Sequence, residues 1–154
     1  MRPTLAELAA SDEGRIGNHT NRFLPPDVYY LKIVGEMNDE EGKEVNRGHW
    51  EIGKTVDGLF FLVDIAELES VSPATRKEAV EIQKKMNLAA AVVLKAPLKA
   101  RIFAKLILTA TNMFKAEKMP VVFVDTIDEA WDYIEKRRAE YHANRAAKKA
   151  AAAG

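Results

Sequence analysis

A chain of 154 residues, 47% hydrophobic and 30% charged, has the composition of one globular domain with enough apolar residues for a core. Its 23 Lys plus Arg balance 23 Asp plus Glu, which argues against a dedicated nucleic-acid binder and against strong adhesion to an anionic membrane. With no cysteine there is no disulfide, thiolate metal site or cysteine nucleophile, and His19, His49 and His142 never fall at metal-ligand spacing.

Residues 1–17, "MRPTLAELAASDEGRIG", are polar and small, with at most one helical turn near 5–10, and are expected to form a flexible N-terminal extension. They lack the apolar core of a signal peptide, and no apolar run nears the ~18 residues of a spanning helix. The expected compartment is the cytoplasm, without stable membrane insertion, and the sequon at Asn18 has no secretory context. The stretch "HTNRFLPPDVYYLKIVGEM" reads as two strands joined by a turn at Pro25, Pro26 and Asp27, with Gly35 ending the second strand.

A helix follows, with Asn38 as N-cap and Asp39, Glu40 and Glu41 at the positive end of its dipole. "GLFFLVDI" is apolar almost throughout, as in a strand covered on both faces. A helix over 73–86, the apolar strand "LAAAVVLKAP", a long helix over 98–118 and the strand "PVVFVDT" come next. Thr126 and Glu129 form the capping-box pair of a last helix, which continues into an Ala/Lys-rich tail at 142–154. The expected fold is α/β, with one domain over 18–141. It has a mixed, mostly parallel sheet of about five strands, an N-terminal antiparallel hairpin and four covering helices.

In such sheets functional groups gather beyond the carboxyl ends of the strands, here at Glu36 and Asn38, at 64–75, at Lys95 and at Asp125. Within 64–75, Ser70, Ser72 and Thr75 are candidate phosphoryl acceptors, since a phosphate adds about two negative charges to a docking face. Ser72 followed by Pro73 is also a standard helix start, and the capping reading is the stronger one.

"PPDVYYLKIVG" at 25–35, and Phe61-Leu62-Val63-Asp64, Ser72-Pro73 and Arg76-Lys77-Glu78 further on, resemble the SpoIIAA-like, STAS/SEC14-type bacterial proteins across about residues 18–138. The resemblance implies a SpoIIAA-like fold and a non-catalytic module. Such a module docks to a regulatory protein, here unidentified, or binds a small lipophilic molecule. Kinase-controlled antagonists of this kind carry Asp-Ser, a small residue and glycine at the helix start. This chain has Ser72 at the aspartate position and Pro73 at the serine position, and the glycine is missing, so the kinase switch does not carry over.

In the 98–118 helix, Ile102, Phe103, Leu106, Ile107, Ala110, Met113 and Phe114 make one broad apolar face, and Leu108 lies away from its centre. Leu108 then marks a dimer surface, a partner groove or a lipophilic pocket, unless it is a single stray exposed residue or one covered by a wide sheet. Lys99, Arg101 and Lys105 suit an anionic head group or form a solvated face. Asp64, Glu67 and Glu69 read as partners of a helix dipole, His49 as a packed residue, and His19 and His142 as edge and tail residues. The basic run at Arg137, Arg138, Arg145, Lys148 and Lys149 reads as a solvated helix end. No catalytic residue, metal ligand or cofactor is expected. The candidate binding residues are Asp64, Ser70, Ser72, Thr75, Lys95, Arg101 and Leu108.

Overall fold

Six strands lie side by side in chain order in one sheet: β1 (Arg15–Ile16), β2 (His19–Leu24), β3 (Val28–Met37), β4 (Leu59–Val71), β5 (Leu88–Leu94) and β6 (Val121–Val124). The computed structural model describes residues 2–113, 115 and 117–154. β1, β2 and β3 pair antiparallel, and β3 to β6 pair parallel. Each parallel step passes through a helix: α2 (Asp39–Gly53), α3 (Pro73–Gln83) and α4 (Leu98–Asn112). The steps all advance in one direction, and right-handed crossovers then place the three helices on the same face. α5 (Ile127–Ala153) follows the last strand and covers the opposite face together with α1 (Leu5–Ala10).

Side chains alternate between these two layers along each strand. Tyr30, Phe60, Leu62 and Val92 pack towards α5, against Ala130, Trp131 and Ile134. Leu31, Ile33, Ile65 and Val93 pack towards α2–α4. β5 is buried along its whole length, as its unbroken apolar run requires.

The N-terminal segment departs from expectation, and adds the sixth strand and the fifth helix. Thr4 and Glu7 form a capping box that starts α1, and Leu8 is fully buried against the sheet. Arg2 reaches Glu135 Oε1 at 2.9 Å and Asp132 Oδ1 at 2.9 Å, and the Trp131 indole N–H donates to Pro3 O at 2.9 Å. The segment is thus folded onto α5. The 142–154 stretch continues α5 to Ala153, and Arg145 donates to Asp57 Oδ1 at 2.8 Å.

Two boundaries also shift in ways that matter for the site. Gly35, at φ 71°, lies at an irregularity of the β3–β4 pairing and does not end the strand. β3 therefore reaches Met37 and draws β4 on to Val71, with Glu36 opposite Ser70 and Met37 opposite Val71. α4 ends at Asn112 and not near 118. The Asn112 side chain donates to Met119 O and accepts from Met119 N, both at 2.8 Å, which holds the returning chain.

Candidate functional site

The start of α3 shows what the serines do. Ser72 is the N-cap: its Oγ accepts from Thr75 N at 3.3 Å and donates to Thr75 Oγ1 at 2.8 Å, while Pro73 opens the helix. Thr75 is buried against α2, where a Cβ on Gly42 would come within 1.8 Å of its hydroxyl. Asn46 clamps the same contact by donating to Thr75 O at 3.2 Å and to Glu78 Oε1 at 2.9 Å. Ser70 is exposed, but it lies in β4 and not in the loop expected there.

The other sequence candidates do not converge on this point. Asp64 lies within β4 and not at its end; it is buried, and its Oδ1 accepts from Ala66 N at 3.2 Å. Burial raises the pKa of the Tyr30 phenol, and the negative charge of Asp64 adds to the rise. Lys95 is exposed at φ 49°, in the corner after β5. Arg101 donates from Nε to Ala96 O at 2.9 Å and lies over the Phe123 ring at 5.2 Å. Among these candidates hydrogen bonds join Ser72 to Thr75, while Thr75 and Leu108 share the lining of one cavity.

α4 is turned differently from the expected face. Leu98, Ile102, Leu106 and Met113 are 76%, 55%, 66% and 63% exposed, although the last three belonged to the expected core face. Leu108, expected off that face, is buried. The cause is visible at Thr111, which faces inward with its hydroxyl 3.0 Å from both Gln83 Oε1 and Ile107 O, its one proton serving either acceptor. A polar residue with internal partners moves the buried stripe away from where hydrophobicity alone centres it.

Beneath the three helices lies a cavity of about 110 Å³. Its walls are mostly apolar and include Ile33, Val45, Phe61, Val93, Phe103 and Leu108. Two polar groups line it without partners among the described residues. His49 is 3% exposed, and neither ring nitrogen is hydrogen-bonded. Its ring meets Tyr29 edge-on at 4.6 Å and lies 4.9 Å from the Phe61 ring. Burial lowers its pKa to about 3, so the imidazole is neutral. Arg76 has a buried, unpaired Nε, and its guanidinium lies 5.7 Å from the Phe103 centroid.

Sequence reasoning gave His49 its packed position but neither residue a binding role. A helical histidine four positions after Val45 carries no signal of empty space beside it. His19, expected at an edge, is also buried, with Nδ1 accepting from Val34 N at 3.1 Å and Nε2 lying 3.4 Å from Glu41 Oε1. Among the described residues no helix is long and apolar enough to cross a membrane, and no group of three His, Asp or Glu side chains is placed to hold a metal ion.

No protein-family model matches the chain, and no curated protein sequence does either. Solved structures do match. An uncharacterised protein of the DUF3478 family from Shewanella loihica PV-4, described as having a SpoIIAA-like fold, superposes with a TM-score of 0.54 at 15% identity, over 75% of this chain and 91% of its own. The anti-sigma factor antagonist SpoIIAA in its unphosphorylated form gives 0.50 at 9% identity, over 76% of this chain and 97% of its own. The chain has the SpoIIAA-like fold.

Proposed function

We propose that the chain is a non-catalytic, STAS-like docking module of the cytoplasm that binds a regulatory protein through the outer face of α4. The observation that carries this reading is the row Leu98, Ile102 and Leu106 on α4 with Met113 at its C-cap, each more than half exposed. Large apolar side chains in a contiguous row are what a partner covers. Lys99 and Lys105, exposed beside them, supply a polar rim that favours an acidic counterpart. Likeness of fold to an anti-sigma factor antagonist supports a role exercised on another protein.

The test is to cross-link the chain in its host, identify the attached protein and rebuild the complex from purified components. The double variant Ile102→Glu, Leu106→Glu is expected to lose the complex with its unfolding midpoint unchanged. Ser72→Ala, which removes about 1 kcal/mol of cap, is expected to keep it. An unaffected double variant would sink the reading. A symmetric cross-link to a second copy of the chain would replace the regulatory partner with a homodimer.

The cavity favours a second reading, in which the module also binds a small lipophilic molecule. Apolar walls with a few converging polar groups are the usual make-up of a small-molecule site.

A further inference from the structure

Deepening that second reading, on which it rests, we infer that the cavity beneath α2–α4 binds a short aliphatic carboxylate, its head group on Arg76 and its body extending towards His49.

The size of the cavity limits the body. About 110 Å³ is less than the ~150 Å³ engineered void that accommodates benzene, so the buried part has about six heavy atoms or fewer. A full-length acyl chain does not fit. The walls between Phe103 and Phe61 are aliphatic or aromatic, so the body is apolar.

The charge of the head group follows from Arg76. Arginine is always cationic, and a buried guanidinium nitrogen is ordinarily paired with an oxygen. Arg76 has neither an ion pair nor a hydrogen bond from its side chain among the described residues. The side chain is half-buried, and its guanidinium lies near the face of Phe103, which attracts the cation but accepts no N–H···O bond. Its position adds to the effect. Arg76 lies in the first turns of α3, after the Ser72 cap, where the helix dipole also favours negative charge. A carboxylate satisfies both, and the fork of the guanidinium suits its two oxygens.

His49 supplies the second polar feature. A neutral imidazole offers one N–H and one lone pair, and here both are buried and unused. A group left in that state is destabilising unless something occupies the space beside it. The cavity is that space, bounded by the imidazole on the α2 side and by Arg76 on the α3 side. An acid carrying a hydroxyl or keto oxygen on its body meets both residues at once.

Two ligand pairs test the assignment in the full chain. Pentanoate and 1-pentanol share a similar body and differ in charge, and 4-oxopentanoate adds an oxygen to the body. Binding is read by calorimetry and by the rise in unfolding midpoint. The expected order is 4-oxopentanoate tightest, then pentanoate, then pentanol. Arg76→Met, which keeps the apolar stem against Phe103, is expected to weaken both acids about tenfold or more and leave pentanol unchanged. His49→Leu is expected to abolish the advantage of the oxo acid alone. Leu108→Phe, which fills the cavity, is expected to exclude all three, and circular dichroism checks that each variant is folded. Pentanol binding as well as pentanoate overturns the head-group assignment while leaving a lipophilic site intact. No saturable binding of any of the three overturns both.

Discussion

Arg138 grips Asp27 through two hydrogen bonds of 2.7 Å, one from Nε and one from a terminal nitrogen, each to a different carboxylate oxygen. The pair fastens the turn between β2 and β3 to the middle of α5. The Asp27 side chain is only 8% exposed, so it depends on this partner for most of its charge compensation.

Arg138→Met therefore leaves a buried carboxylate without its cation. We expect a loss of about 2 kcal/mol in urea unfolding, below the ~3–5 kcal/mol of a fully buried pair because Arg138 itself is one-third exposed. Asp27→Asn together with Arg138→Met is expected to cost less than the sum of the two single changes. Additive losses would mean that the two side chains do not act as a unit.

The orientation of α4 can be measured by a pair of truncations. Leu108→Ala removes a buried side chain beside an existing cavity and is expected to cost about 2–4 kcal/mol. Leu106→Ala, two-thirds exposed, is expected to change stability by less than about 0.5 kcal/mol. Equal costs in chemical denaturation would contradict the face assigned to this helix.

His49 predicts a dependence on acid. In the folded chain its pKa is lowered to about 3, whereas the free imidazole titrates near 6.5. Below pH 6.5 the unfolded state takes a proton that the folded state refuses, so stability is full above that pH and declines as pH falls towards 3. The slope approaches about 1.4 kcal/mol per pH unit midway between the two values. His49→Leu is expected to flatten the decline between pH 6.5 and pH 5, where most carboxylates remain ionised. An unchanged slope in that variant would show that the proton goes elsewhere.

Much of the fold was legible because its signals are local. Asn38, Ser72 and Thr126 all cap the helices expected of them, since a side-chain oxygen and the amide three residues on decide the matter between themselves. β4 and β5 were legible as apolar runs. What escaped was decided by distant partners. Leu8 stands in a short polar segment, and only its packing against the distant sheet and α5 buries it. The end of β4 is decided by how far β3 runs beside it, beyond an irregularity at Gly35. The face of α4 was misjudged because Thr111 finds its acceptors inside.

The candidate site was less legible still. Ser72 and Thr75 proved to be neighbours committed to backbone and packing. The cavity exists because three helices and a sheet fail to fill one volume, and no pattern along the chain records that. Arg76 stood in the quoted Arg-Lys-Glu run without distinction from the lysine beside it. That no carboxylate among the described residues pairs with it is a fact of three dimensions.

The clasp of Arg2 and Leu8 on α5 has a consequence for how the molecule is made. α1 is made well before α5 and finds that part of its seat only after α5 has followed, so one face of the sheet stays bare until then. During that interval the nascent chain exposes Phe60, Leu62 and Val92 to whatever chaperone waits at the exit.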